Sequence, residues 1–384
     1  WSRSPGGDLD LGLQMAGSLW RYWMLRGHLA EGRAQLEQLL VAAADRQSSA
    51  CFWEARHAAG VLAFRQGDYA AARAHLDAYR HAGRSRGDEA AVAAADMSLG
   101  RMAIDAGEFD QASALLDECL RIETALGQPL GIAWSVTYLG LLAQFTGDDV
   151  RARSLLLDSL PRLRELGDEF GVAVNLFYQG RAAYSQREYQ ETHRQWSESL
   201  RICSDLRYLW PQPYQLEGFG ALAALSGEPL LALQLAGAAD SVHEAIGAPL
   251  PPSWGEPFRR WLTATRRMVS SAEADAAWEE GRALGREEAI ELSLALPITR
   301  LPQQEGPSAS PSPPELRELT RREREVAALL ARGLTNREIA RDLGISEGTA
   351  RINVERILGK LNLRSRAQFA AWVAERGVVS ASPS

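Results

Sequence analysis

Small and apolar residues return along the first 246 positions with a period of forty. Glycine stands at Gly60, Gly100, Gly140, Gly180 and Gly220, with Trp20 at the same phase, and Ala63, Ala103, Ala143, Ala183 and Ala223 follow three residues later. A second set, Gly27, Gly67, Gly107, Gly147 and Gly227, with Arg187 in its place once, marks a turn inside each unit. Beyond that turn come Ala72, Ala112, Ala152 and Ala232, and four residues past this alanine phase Leu36, Leu76, Leu116, Leu156 and Trp196. The spacing predicts two antiparallel helices per unit, with small residues where the helices cross and larger ones between successive hairpins. One hairpin cannot bury its apolar face, whereas a stack of six can, so the pattern predicts an all-α solenoid held by nearest-neighbour contacts over residues 1–246.

Three columns of each first helix vary while the glycine and alanine columns stay fixed. They are His57, Met97, Thr137 and Phe177; Val61, Arg101, Leu141 and Arg181; and Phe64, Ile104, Gln144 and Tyr184. Steps of four and three put them on one helix face. Past Gly247 the phase is lost: Pro249, Pro251 and Pro252 interrupt the helix, and two helical stretches, 258–268 and 272–296, complete a cap over residues 247–296. Residues 297–314 contain six prolines without apolar periodicity, which predicts a linker stiffened towards polyproline II, at up to about 3 Å per residue.

From Leu319 the pattern changes again. Thr320 with Glu323, Thr335 with Glu338, and Ser365 with Gln368 are capping boxes that each start a short helix, and Gly333 and Gly344 end two of them. Val326, Leu329 and Leu330, then Ile339 and Leu343, then Ala350, Val354, Ile357, Leu358 and Leu361 recur at helical spacing, so three amphipathic helices share one core. Gly344, Ile345 and Ser346 supply a left-handed turn, an apolar plug and a cap, which is a helix-turn-helix. In such a module the third helix lies in the major groove of DNA. Its early outward residues are Thr349, Arg351, Ile352 and Glu355: Arg351 has the fork for guanine, Ile352 the methyls for thymine, and Glu355 the acceptor for a cytosine amine. Thr335, Asn336, Ser346, Arg356 and Lys360 are placed for phosphates, and Asn353 of the third helix completes the expected DNA-binding set.

The stretch from Leu319 to Val379 resembles the DNA-binding domain of LuxR-type transcriptional regulators, through Arg322, Glu323, Glu325, Val326, Gly333, Asn336, Glu338, Ile339, Ala340, Ser346, Thr349, Val354, Lys360, Leu361 and Arg364-Ser365-Arg366. The resemblance implies sequence-specific DNA binding by residues 315–379, with 380–384 a tail, and a fourth helix near 366–375 that pairs two copies on DNA. Ala350, Arg351 and Asn353 replace the family's usual valine, lysine and histidine, and Glu355 stands where many members are neutral or basic. Arginine for lysine keeps the charge and adds a bidentate fork, so base preference should change while binding survives. Glu355 facing a phosphate would weaken binding. Those departures favour an alternative, an interaction scaffold whose terminal module has lost specific DNA readout.

The repeats resemble tetratricopeptide repeats, as in Leu99-Gly100 with Gly107 and Gly67-Asp68-Tyr69 with Ala72, in a unit about six residues longer. In that family the varying face lines a concave groove, which implies an effector or partner site containing His57, Arg101, Trp134, Phe177, Arg181 and Tyr184. Trp278 to Leu284 resembles the cap of the helical region in large LuxR-type regulators. Those regulators carry an ATPase module ahead of the repeats, so the chain, which opens at Trp1, resembles either their C-terminal part or a version without the module.

Charge sharpens the division. The net charge of −7 alone argues against nucleic acid, yet residues 315–377 hold thirteen Lys or Arg against nine Asp or Glu, a balance of +4 that leaves the first 314 residues at −11. An acidic body with a basic end fits a regulator of DNA. Cys51, Cys119 and Cys203 are too few and scattered for a disulfide framework or zinc site and are expected to be small buried residues. No apolar run reaches the roughly 20 residues of a membrane span, and no signal-peptide pattern opens the chain, which predicts a cytoplasmic protein. Lys360, the single lysine, is followed by Leu361, so a phosphate-binding loop ending in Gly-Lys-Ser/Thr is excluded, and neither a metal motif nor a nucleophile elbow is present. The expectation is a non-enzyme without cofactors.

Overall fold

The computed structural model describes residues 8–297, 301, 319–331, 333–361, 363, 366, 368, 369 and 372. Helices α1 (Leu9–Ser18), α2 (Trp20–Arg26) and α3 (Leu29–Ala42) begin the stack. Five hairpins follow: α4 (Ala50–Arg65) with α5 (Tyr69–Arg86), α6 (Glu89–Ala106) with α7 (Phe109–Leu126), α8 (Pro129–Phe145) with α9 (Asp149–Glu165), α10 (Glu169–Ser185) with α11 (Tyr189–Asp205), and α12 (Gln212–Leu225) with α13 (Pro229–Ile246). The sixth expected unit is the first, whose leading helix is divided at Leu19 into α1 and α2.

The predicted turn glycines all adopt left-handed backbone, with φ between 76° and 82°, and Arg187 takes the same conformation at φ 62° although it has a side chain to accommodate. A further register ends each of the five hairpins from α4 to α13: Gly87, Gly127, Gly167 and Gly247 are also left-handed, and Arg207 replaces glycine there. At the helix crossings a Cβ on Gly60, Gly100 or Gly140 would come within 2.8–2.9 Å of the Cγ of Leu76, Leu116 or Leu156, sixteen residues on, so the small column exists to admit the large one. Trp196 takes the leucine position against Gly180 and donates its indole N–H to the Phe177 carbonyl at 3.0 Å.

A buried polar ladder repeats with the same register. Cys119 meets Ser135 at 3.3 Å, Asn175 donates to Ser159 at 2.7 Å, and Gln215 donates to Ser199 at 2.7 Å. Each rung joins the second helix of one hairpin to the first helix of the next, and a one-position slip would leave buried polar atoms without partners. Cys119 and Cys203 are buried, and burial pushes both thiols up to about 12.

The cap differs from its sequence reading in two ways. The first helix, α14 (Pro252–Arg266), starts six residues before Phe258, because proline is tolerated in a first helical turn. The second stretch is two helices, α15 (Ser271–Ala283) and α16 (Arg286–Leu294), divided where Leu284 and Gly285 are extended. Gly237 and Gly281 let the backbones of α13 and α15 touch: a Cβ on either would meet a carbonyl oxygen of the other helix. Leu301, inside the expected linker, is 2% exposed and belongs to the core of the repeats.

A separate core, built from Val326, Leu330, Ile339, Ala350, Val354, Ile357, Phe369 and Trp372 with their neighbours, holds α17 (Arg321–Ala331), α18 (Asn336–Leu343) and α19 (Glu347–Lys360). The described residues contain helices and no strand. No helix among them is long and apolar enough to cross a membrane.

Candidate nucleic-acid interface and repeat groove

Local hydrogen bonds set the three terminal helices. The Thr320 N–H donates to Glu323 at 2.7 Å while the Glu323 N–H returns to the Thr320 hydroxyl, and Thr335 with Glu338 forms the same box at α18. The cap of Thr335 holds the Glu338 carboxyl below its usual range. Gly344 is left-handed at φ 63°, and Ser346 caps α19 by accepting from the Thr349 N–H at 3.0 Å. Ser365, the start of the third expected box, and most of 366–375 lie outside the described residues. Of that segment, Arg366 donates to the Leu334 carbonyl at 2.9 Å, and Phe369 and Trp372 are buried in the domain core.

Along α19, Arg351 and Glu355 form one pair, 3.5 Å apart and both 63% exposed, with Arg356 also exposed and Ile352 half-buried. Asn353, expected among the DNA-binding residues, faces inward instead. It is 2% exposed, and its amide donates to the Thr349 carbonyl, because it shares the inner face with Ala350, Val354 and Ile357. Lys360 is engaged with the buried Glu323 at 2.7 Å, and Asn336 accepts from Arg366, so both reach an external phosphate only by exchanging partners. Thr349, Ile352, Asn353 and Arg356 together face Phe109 and Leu142 of the repeats across a cleft of about 100 Å3. The stem of Arg322 lies over Gly147, filling the space a side chain there would need. In this arrangement Thr349 and Ile352 are turned to the repeats, while Arg351 and Glu355 stay exposed.

The groove residues divide into two groups. Arg101 and Phe177 border a small cavity with Trp254, and Arg181 lies over the Trp254 ring at 3.8 Å. His57 and Trp134 lie elsewhere: His57 meets Ser98 at 3.1 Å and the Tyr79 ring at 4.9 Å, whereas the Trp134 indole donates to Asp168 at 2.7 Å. Tyr184 stacks on Trp196. What the sequence reading missed is the occupant. The segment after the repeats returns across the groove, stacks Trp254 on Phe177 with ring planes 10° apart, and donates its indole N–H to Asp105 at 2.9 Å, 149 residues away.

Asp105 is 1% exposed and Arg101 3%, and the two form an ion pair one helical turn apart. Burial opposes the charge on Arg101, yet Asp105, with Tyr178 and Tyr138, holds its guanidinium above the usual range. Arg181 has no such carboxylate, and burial pulls it down to about 10. Arg65 lies one turn beyond Val61 of the varying column, and Asp105 one turn beyond Arg101. That i, i+4 extension was the available signal for both.

Residues 317–373 match the family model described as bacterial regulatory proteins, luxR family. Over 180 residues, 47% of its length, the chain is 28% identical to candidate HTH-type transcriptional regulators of Mycobacterium tuberculosis and Mycobacterium bovis, and the match covers 19% of those proteins. It is also 44% identical over 59 residues to the nitrate/nitrite response regulator NarL of Escherichia coli, a match covering 15% of this chain and 27% of that one. The chain thus spans about a fifth of the mycobacterial relatives.

Proposed function

We propose, from the LuxR-family helix-turn-helix domain that residues 317–373 carry, that the chain is a sequence-specific DNA-binding transcriptional regulator whose helical repeats receive an effector or partner. The observation that carries this reading is the exposed Arg351–Glu355 pair on a helix capped by Ser346, directly after a left-handed glycine turn. Arg351 reads guanine with its fork, Glu355 accepts from a cytosine amine, Arg356 and the N-termini of α18 and α19 take phosphates, and a second copy pairs through the segment after Arg366.

Arg351→Ala should weaken binding to the best site by about 1–3 kcal/mol and flatten preference at one base pair, read by selection from a random DNA pool. Affinity should fall by about 0.9 log units per decade of salt for each phosphate contacted. Uniform weakening across all sequences would make Arg351 a phosphate contact instead.

The cleft between α19 and the repeats favours a second reading, an interaction scaffold whose terminal domain no longer meets DNA. Genomic DNA pools offered to the full chain and to residues 315–384 decide between them. Binding by the fragment supports the regulator, and if the full chain binds less well, the repeats cover the reading face. Failure of both supports the scaffold.

A further inference from the structure

We infer that the repeat groove is a receptor for a compact organic carboxylate seated in the cavity beside the stacked Arg65 and Trp210. This rests on the reading of the repeats as an effector-binding region and names the chemical class of the effector.

A cavity of about 210 Å3 lies between the ends of α4 and α6, the approach to α12, and the returning segment Pro249–Pro252. Arg65, Trp210, Tyr69, Tyr214 and Asp105 supply its polar wall, and Phe64 and the prolines supply its apolar one. The Arg65 guanidinium is held 4.6 Å from the Phe64 ring centroid and 4.2 Å from that of Trp210. Two ring faces fix its position and strip water from it without offering a hydrogen-bond acceptor in its plane. Arg65 Nε and Nη1 and Trp210 Nε1 are all buried with no hydrogen-bond partner.

Asp105, the one carboxylate on the cavity wall, is already committed to Arg101 and to the Trp254 indole. Nearby, Glu217 is engaged by His243 at 3.2 Å, while Arg181 adds a further buried guanidinium among rings. Around the cavity three guanidinium groups thus stand against two carboxylates, and on its wall Asp105 is already engaged, which leaves the Arg65 Nε and Nη1 without an acceptor. A guest that restores balance brings one negative charge and two coplanar acceptor oxygens, which is a carboxylate meeting a guanidinium fork. The cavity is smaller than the roughly 300–1,000 Å3 typical of sites for drug-sized ligands, so the guest is compact, and its walls suit a flat or aliphatic body.

The test titrates the full chain with benzoate and phenylacetate, and in parallel with benzamide and phenylacetamide, reading tryptophan fluorescence and heat. Saturable binding of an acid, about tenfold or more tighter than its amide, is expected. Arg65→Met keeps the stem and removes the fork, and Trp210→Phe keeps a ring and removes the N–H. Each should weaken the acid by about tenfold while circular dichroism stays unchanged. Should Arg65→Met fail to fold, Trp210→Phe carries the result. Equal binding of acid and amide overturns the proposal, as does the absence of saturable binding by either acid. DNA affinity of the same preparation keeps the two readings apart: retained DNA binding without acid binding removes the acid site alone, and acid binding without DNA binding removes the regulator assignment and leaves the acid site standing.

Discussion

The repeats and the terminal domain are both stacks of short, arginine-rich helices, and they put the guanidinium group to opposite uses. Arg101 is 3% exposed and paired with Asp105, Arg181 lies among Phe145 and Trp254, and Arg65 is held between Phe64 and Trp210. On α19, Arg351 is 63% exposed and Arg356 is also exposed. A guanidinium inside a protein must be matched there, by carboxylates or ring faces, whereas one in water remains available to an external anion. The contrast teaches that a guanidinium's role follows from what surrounds it and not from its place in a charge tally. The balance of −11 over the first 314 residues says nothing of the cationic interior beneath it.

Removing one carboxylate inside the repeats sharpens the contrast most. Asp105→Ala leaves Arg101 without its partner and the Trp254 indole without its acceptor, and should lower stability by about 3–5 kcal/mol in urea unfolding. Replacing both partners, Arg101→Met with Asp105→Leu, should lower it less than Asp105→Ala alone, because no buried charge is stranded. On the terminal domain Glu355→Ala removes an exposed pair and should change stability by less than about 0.5 kcal/mol. Equal losses for Asp105→Ala and Glu355→Ala would erase the distinction between the two regions.

Titration separates the regions next. All six histidines lie in the repeats, and burial pulls His57 down to about 4, only partly offset by the Ala94 backbone. Above pH 6.5 the group is neutral in both folded and unfolded chains and contributes nothing. As pH falls from about 6.5 towards 4 the unfolded chain binds a proton that the native state refuses, so the repeats lose stability, by on the order of 3 kcal/mol at the lower limit. Glu217, raised by burial, acts with the opposite sign, so the difference between wild type and His57→Gln across that window isolates the histidine. Denaturation of the full chain followed from pH 7.5 to 4.5 checks the slope. A His57→Gln curve parallel to wild type would exclude His57 as its source.

What was legible in the sequence tracks how far apart interacting residues lie. Capping boxes span three residues, and the small-to-large contacts between Gly60 and Leu76 or Gly100 and Leu116 recur at a fixed offset of sixteen, so repetition itself revealed them. Even the non-glycine turn at Arg187 was visible as a break in a column. The return of Trp254 to Asp105 was not, since nothing periodic links positions 149 residues apart. Asn353 was expected among the DNA-binding residues although its spacing from Ala350 and Ile357 places it on the inner face. The polar ladder was hidden as well, because Ser159, Asn175, Ser199 and Gln215 occupy buried columns with residue types that usually signal a surface.

Glycine gives the finest test of the difference, because the same substitution should act with opposite signs in the two regions. Gly237 lies inside α13 where a Cβ would strike the Trp278 carbonyl oxygen of α15, a backbone atom that cannot rotate away, so Gly237→Ala should cost about 1–3 kcal/mol and loosen the cap. Gly359, near the end of α19, has nothing within 4 Å of such a Cβ and no left-handed backbone to preserve. There alanine restricts the unfolded chain and favours the helix, so Gly359→Ala should raise the stability of the terminal domain by about 0.5–1 kcal/mol. Thermal unfolding of residues 315–384 reads the gain directly, and a loss on Gly359→Ala would mean that the end of α19 is packed against something, which would carry the close packing of the repeats into the terminal domain.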